Sequence, residues 1–117
     1  MPIVEQYSAA GVTYQIRGWE PGAGTHLPLY LWIDGTMAGF DDANDHVFLD
    51  AMVARGYAAA QIDYDKSLAS YLFEGCGGFH QKAQAIAGVE NSALAVLCAR
   101  PRVDCTRGVA VLSLIHI

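Results

Sequence analysis

Basic residues are scarce in this chain. Lysine and arginine together number 7, against 12 aspartate and glutamate, and the formal net charge is -5 at pH 7. The sequence therefore has no basic stripe on which binding to a phosphate backbone could begin. We expect no nucleic-acid partner.

Long apolar runs are also missing. A helix that crosses a bilayer needs roughly 18 to 20 consecutive apolar residues, and no stretch of the chain approaches that length. Residues 1–10 have neither the basic head nor the apolar centre of a secretory signal peptide. We therefore expect a soluble, untargeted chain with no membrane span.

Cysteine is rare, with three residues at Cys76, Cys98 and Cys105. Their spacing lacks Cys-x-x-Cys and nearby histidines in a ligand pattern, so we expect no metal site. Cys98 and Cys105 lie on either side of a predicted helix end and the approach to a strand. A disulfide and a pair of buried thiols both remain open, because sequence does not give the distance between the two Cα atoms. A disulfide would indicate a secreted or periplasmic protein, and free thiols a cytoplasmic one.

Apolar side chains, in contrast, are abundant. Hydrophobic residues make up 53% of the 117 residues and charged residues 16%. This composition is typical of a packed globule and argues against disorder. The length suits one domain or part of one.

The first 33 residues predict three strands. Residues 3–7 and 12–19 flank a Ser-Ala-Ala-Gly turn, and the second run alternates apolar and polar residues, as in a half-exposed hairpin. A loop rich in glycine and proline follows at residues 20–25. Residues 27–33 are apolar on both faces, which is typical of a covered central strand with Pro28 at its beginning.

A helix and a second central strand come next. Acidic and amide side chains at residues 41–45 suit a helix start, and the helix is predicted to run through Arg55 and to stop at Gly56. One face of it carries four apolar residues, Val47, Phe48, Ala51 and Met52. Residues 57–63 predict a short strand, because they follow a helix stop, although their alanines would also suit a helix.

The rest of the chain predicts an irregular segment, a long helix and a third strand. From Phe79 to Ala99 apolar residues recur every three or four positions, which indicates one helix weakened at Gly88. Residues 107–112 form a short apolar strand. The order of a β-hairpin followed by βαβαβ predicts an α/β fold with parallel strands and helices on both faces of the sheet.

Three stretches together resemble the α/β-hydrolase fold. They are residues 29–36 (Leu-Tyr-Leu-Trp-Ile-Asp-Gly-Thr), residues 48–64 (Phe-Leu-Asp-Ala-Met-Val-Ala-Arg-Gly-Tyr-Ala-Ala-Ala-Gln-Ile-Asp-Tyr) and residues 107–112 (Arg-Gly-Val-Ala-Val-Leu). They look like the third strand with its oxyanion turn, the first helix with the fourth strand, and the strand that leads into the nucleophile elbow. The resemblance implies a serine hydrolase that acts on small-molecule esters or related acyl substrates, without a cofactor.

The resemblance stops at Ser113. The family has its nucleophile in Gly-x-Ser-x-Gly, with the acid and the histidine farther along the chain, whereas this chain has Ser-Leu-Ile-His-Ile with no glycine. Residues 112–117 also match the translation of a transposon-end adaptor common in sequencing libraries. We therefore expect residues 1–112 to be the amino-terminal part of a single α/β-hydrolase-like domain and residues 113–117 to be a non-native tail. On this interpretation the nucleophile, acid and histidine are missing and the chain is inactive.

The resemblance implies that one catalytic element is present in this chain, namely the turn after the strand at residues 27–33. A backbone N–H of Thr36 or Met37 is implied as one oxyanion-hole donor. Asp34 and Gly35 would form the supporting turn, in which Gly35 lets the backbone approach the substrate closely. Asp34 stands where many relatives have histidine. A tight strand-to-helix turn without a catalytic role is the alternative.

Other polar and aromatic side chains have simpler explanations. Asp63 and Asp65 are candidates for paired carboxylates, but capping of the following loop explains them equally well. His46 and His80 suit the starts of helices, and His26 lies in a loop. Aromatic residues that are candidates to line an acyl pocket are Phe40, Tyr64, Tyr71 and Phe73.

The competing hypothesis is a flavodoxin-like or Rossmann-like small-molecule binding module without catalysis. Such a module needs a phosphate or cofactor cradle, and no Gly-x-Gly-x-x-Gly or P-loop follows any predicted strand. Residues 75–78 (Gly-Cys-Gly-Gly) come nearest, but they follow a loop. A third hypothesis is an incomplete domain whose last strand forms an exposed apolar edge.

Overall fold

The fold is of the α/β class, as predicted. A computed structural model describes residues 1–33, 39–65, 81–88 and 90–113 of the chain. One mixed sheet contains the strands β1 (Pro2–Ala9), β2 (Val12–Trp19), β3 (Leu29–Ile33), β4 (Ala58–Ile62) and β5 (Val109–Ser113). The described residues include the α-helices α1 (Ala43–Val53) and α2 (Ala93–Cys98).

The strands follow the order β1-β2-β4-β3-β5 across the sheet. β1 and β2 are antiparallel and are joined by Ala10 and Gly11, which have φ values of 51° and 79°. Two consecutive left-handed residues are typical of the tight hairpin turn that matches strand twist. β2 pairs antiparallel with β4, whereas β3 pairs parallel with both β4 and β5. The carboxyl ends of β3, β4 and β5 therefore meet at one edge of the sheet, which we call the carboxyl edge.

The two central strands are buried at every position, as predicted from their apolar sequences. Leu29, Leu31 and Ile33 of β3 point into the larger core cluster, which also contains Ala93 and Leu97 of α2. The alternate residues, Tyr30 and Trp32, point to the opposite face, because successive side chains of a strand alternate between faces. The two faces of the sheet are therefore covered by different helices.

Helix α1 covers the second face only partly with the apolar side noted in the sequence: Met52 packs against this cluster and Phe48 stacks on Trp32 at 4.6 Å. Val47 and Phe48 are 65% and 45% exposed, while Asp45 and Leu49 are buried. The Trp32 indole Nε1 also donates a hydrogen bond to Asp45 Oδ1 over 2.9 Å. Asp45 and Leu49, one turn later on the helix, therefore both face the sheet.

The single helix predicted over residues 79–99 is wrong. Residues 81–83 are helical and continue into a π-helical turn, Gln84–Gly88. A separate helix, α2, then starts from Ser92, whose side chain accepts a hydrogen bond from the Ala95 N–H. Serine is a favoured N-cap and glycine a weak helix former. Gly88 and Ser92 therefore favour a break in the helix that the apolar periodicity alone does not reveal.

A disulfide joins Cys98 and Cys105, with a Cα–Cα distance of 5.7 Å, which decides between the two alternatives that the sequence left open. The loop that it closes carries Arg100 and Arg102. Both arginines contact the carboxylate of Glu20, which is 3% exposed: Arg100 Nε lies 3.0 Å from Glu20 Oε2, and Arg102 Nη1 lies 3.5 Å from Glu20 Oε1. Arg100 also pairs with Glu5 of β1 at 2.9 Å. The disulfide loop is thereby tied to the hairpin.

The strand β5 lies at one edge of the described sheet. Val111 of β5 is 55% exposed, and β5 is the last strand of the sheet order. Over the described ranges, no helix is both long and apolar enough to cross a membrane.

Candidate functional site

The predicted oxyanion turn lies outside the described residues. This applies to Asp34, Gly35, Thr36 and Met37, and also to Tyr71, Phe73, His80 and Cys76. The structure does describe the chain on both sides of that turn. β3 ends at Ile33, and Gly39 begins a segment that leads into α1 at the carboxyl edge.

The segment after the turn is attached to the sheet by Gln61 of β4. This side chain is fully buried. Its Oε1 accepts a hydrogen bond from the Asp41 N–H over 2.8 Å, and its Nε2 donates to the Gly39 carbonyl over 3.5 Å. Sequence reasoning did not single out Gln61. The available signal was one amide in a strand that otherwise reads Ala-Ala-Ala and Ile.

The start of α1 is held by a second group of polar contacts. Asp42 is the N-cap, and it forms a capping box with Asp45: each carboxylate accepts the backbone N–H of the other residue. Because Asp45 also accepts from the Trp32 indole, the cap is connected to β3. His46 Nε2 lies 2.7 Å from Asp41 Oδ1, and its ring meets Trp19 edge-on at 4.8 Å. The sequence-based assignment of His46 to a helix start agrees with this position.

A small pocket opens at the carboxyl edge, near the ends of β1 and β4. Its volume is about 110 Å³. The lining residues are Tyr7, Ala9, Ala10, Tyr14, Tyr64, Asp65, Gln81, Lys82 and Ala85. Tyr64, a candidate for an acyl pocket, is among them, whereas Phe40 is not. Three tyrosines and a lysine with low exposure give this pocket a mixed aromatic and polar wall.

Asp63 and Asp65 follow β4 at the same edge. Asp63 Oδ1 accepts a hydrogen bond from the Tyr64 N–H over 3.0 Å, which is the capping contact considered for it in the sequence. The Asp63 carbonyl accepts the Tyr7 hydroxyl. Asp65 lines the pocket. The two aspartates therefore contribute to different local structures after the strand.

Burial raises the pKa of the Tyr7 phenol well above its ordinary value of 10.0, and the nearby Tyr14 and Asp63 add to the effect. In the folded protein Tyr7 stays neutral to higher pH than in the unfolded chain. The stability that it contributes is therefore fully present below about pH 10 and is lost as the pH rises toward the folded-state pKa.

We expect Tyr7→Phe to lower the free energy of unfolding at pH 7 by about 1 kcal/mol, because the Asp63 carbonyl loses its donor. We also expect the variant to lose less stability than the parent chain above pH 10, since it has no phenol proton to retain. Urea denaturation from pH 7 to 11 measures both effects. Parallel pH profiles for the two proteins would contradict the assignment.

The remaining predicted histidine, His26, lies before β3. Its Nδ1 is 3.2 Å from Asp104 Oδ2. Hydrogen bonds from Thr106, together with His26, hold the pKa of the Asp104 carboxyl below its usual range. Both side chains are accessible to solvent, and the pair precedes the amino ends of β3 and β5, away from the carboxyl edge. We assign it a local structural role.

Across the part of the chain that the structure describes, no group of three or more His, Cys, Asp or Glu side chains is placed to hold a metal ion. Comparison with known proteins finds no matching family model, no matching curated protein and no matching solved structure.

Proposed function

We propose that this chain is the amino-terminal part of a serine hydrolase that acts on esters or related acyl substrates by nucleophilic acyl transfer. Its β-hairpin followed by βαβαβ would form part of an α/β-hydrolase sheet. The chain itself would be inactive, because its sequence contains no Gly-x-Ser-x-Gly.

One observation carries the proposal. β3 and β5 are parallel neighbours, and Trp32 pairs with Leu112 near the carboxyl ends of the two strands. In α/β-hydrolases the oxyanion hole combines a backbone N–H from the loop after the third strand with one from the residue after the nucleophile. A nucleophile elbow that followed β5 would therefore lie beside the loop that follows β3. Thr36 or Met37 would supply the first of these donors, and Asp34 and Gly35 would support the turn.

The sheet order favours this proposal over a flavodoxin-like binding module. A flavodoxin-like sheet has the order 2-1-3-4-5 and is built from parallel strands joined by helical crossovers. Here β2 is antiparallel to β4 and separates it from β1. No described feature supports a phosphate cradle, so we advance no second candidate function.

We also propose that the parent protein works in an oxidising compartment, outside the cell or in the periplasm. The support is the disulfide between Cys98 and Cys105, since structural disulfides persist in such compartments and are rare in the cytosol. The partner of the parent protein would be a small acyl substrate.

Labelling with a fluorophosphonate, which reacts with activated serines, tests the proposal. We expect no labelling of the chain 1–117, at Ser113 or elsewhere, and no esterase turnover. We expect labelling at one serine when residues 1–112 are continued by the sequence that follows codon 112 in the natural gene. Stoichiometric labelling at Ser113, or a natural continuation without Gly-x-Ser-x-Gly and without labelling, would refute it.

A further inference from the structure

The strand β4 contains an amide at a position where a purely structural strand would have an apolar residue. Gln61 is the one polar residue of β4 and is fully buried. Burying an amide costs free energy unless its polar atoms are hydrogen-bonded. The contacts with the Asp41 N–H and the Gly39 carbonyl therefore explain how the side chain is tolerated. The pairing of β4 with its neighbouring strands does not itself require a polar side chain at this position.

The residue that Gln61 binds has a constrained backbone. Asp41 has a φ of 59°, in the left-handed region that residues other than glycine visit at a cost. Such a conformation persists only where the surroundings hold it, and constrained residues of this kind concentrate near functional sites. Asp41 is held on two sides: Gln61 binds its backbone N–H, and His46 lies 2.7 Å from its carboxylate.

The next residues are fixed independently of Gln61. The capping box of Asp42 and Asp45 fixes the first turn of α1, and the Trp32 indole attaches Asp45 to β3. The contacts of Gln61 thus lie between the end of the predicted turn and an already fixed helix start. Loss of Gln61 should release the Asp41 backbone N–H and leave α1 in place.

We propose that Gln61 is a positioning residue, which holds the described end of the loop between β3 and α1 by binding the backbone at Gly39 and Asp41. This inference rests on the proposed function, in which that loop supplies a backbone donor to the acyl oxygen. A donor of this kind is effective only when it is held in place before the reaction. Gln61 does not touch the substrate and acts through the loop.

The test is backbone amide hydrogen exchange, measured by NMR on the chain 1–117 as it is. Gln61→Met has a similar length and removes the hydrogen bonds to the Asp41 N–H and the Gly39 carbonyl. We expect the Asp41 amide to exchange about tenfold faster in this variant, relative to the amides of α1 and β4, because one net hydrogen bond is lost. The matched control is Ile62→Val, which alters the next residue of the same strand on the opposite face. We expect that variant to change all core amides together, with no excess at Asp41.

Rescue by a conservative variant separates positioning from packing. Gln61→Glu retains an oxygen that can accept from the Asp41 N–H. Burial favours the neutral form of the introduced carboxyl, so at pH 5 we expect the excess exchange at Asp41 to fall within about threefold of the parent protein. If Gln61→Met does not fold, this variant, compared at pH 5 and pH 8, carries the test, with faster relative exchange of Asp41 expected at pH 8.

Two results would overturn the proposal. The first is that relative exchange at Asp41 is unchanged in Gln61→Met. The second applies if Gln61→Met does not fold: Gln61→Glu then shows the same relative exchange at Asp41 at pH 5 and at pH 8. The exchange measurement uses no substrate, so it is independent of fluorophosphonate labelling. Absence of labelling in the continued protein would refute the hydrolase and leave the Gln61 result standing, and unchanged exchange would refute Gln61 alone.

Discussion

Gly18→Ala is expected to lower the free energy of unfolding by about 3 kcal/mol, the upper end of the usual cost of overpacking. Gly18 of β2 pairs with Ala60 of β4. A Cβ at this position would lie 2.0 Å from the Ala59 carbonyl oxygen and 2.7 Å from the Ala60 Cα. Both atoms belong to the backbone of a buried central strand, so neither can move aside without separating β2 from β4. Urea denaturation followed by circular dichroism measures the loss.

Gly22→Ala is the matched control for this substitution. Gly22 lies in the loop after β2, and a Cβ there would meet no atom within 4 Å. We expect its free energy of unfolding to stay within about 0.5 kcal/mol of the parent protein, as is usual for surface substitutions. Similar stabilities for the two variants would show that β2 and β4 do not pair as closely as described.

Arg100→Met is expected to lower the free energy of unfolding by about 3 kcal/mol as well. The substitution keeps most of the side-chain length but removes the closer of the two cations that contact the buried Glu20 carboxylate. Removal of one partner from a buried ion pair costs about 3 to 5 kcal/mol, because the remaining charge is left uncompensated. The lower value applies here, since Arg102 stays within 3.5 Å of Glu20.

The double variant Glu20→Gln with Arg100→Met tests the cause. A neutral amide at position 20 no longer needs a cation. We therefore expect Glu20→Gln to recover a substantial part of the stability that Arg100→Met loses. Arg107→Met is a suitable surface control, since Arg107 makes an exposed contact with the His26 carbonyl. Equal losses for Arg100→Met and Arg107→Met would contradict a special role of the Glu20 cluster.

Gly18 and the Glu20 cluster both attach the hairpin of β1 and β2 to the rest of the domain. Gly18 allows the hairpin to approach β4, and the Glu20 cluster attaches the hairpin to the loop that the disulfide closes. β4 in turn carries Gln61, which binds the loop that follows β3. The position of Gln61 therefore depends on the pairing of β2 with β4, and substitutions in the hairpin should also accelerate exchange at Asp41 by lowering global stability.

The strands were predictable because buried strands have a characteristic local composition of apolar residues. β3 and β4 have short apolar runs typical of strands covered on both faces, and glycine and proline separate the elements. The break between the π-helical turn and α2 was not predictable from periodicity, because Ser92 interrupts a run whose apolar spacing continues on both sides. Likewise, the burial of Asp45 accompanies a hydrogen bond from Trp32, 13 positions away along the chain, and the spacing of apolar residues does not contain that information.

The amino-acid sequence by itself determined the α/β class, the buried central strands and the resemblance from which a hydrolase is proposed, because hydrophobic patterning and short motifs are local properties of the chain. Only the tertiary structure decided the pairing of Cys98 with Cys105, the neutralisation of Glu20 by Arg100 and Arg102, the close approach at Gly18 and the attachment of Asp41 to Gln61. Each of these joins residues that are separated along the chain, and their distances follow from strand order and register, which local sequence does not specify.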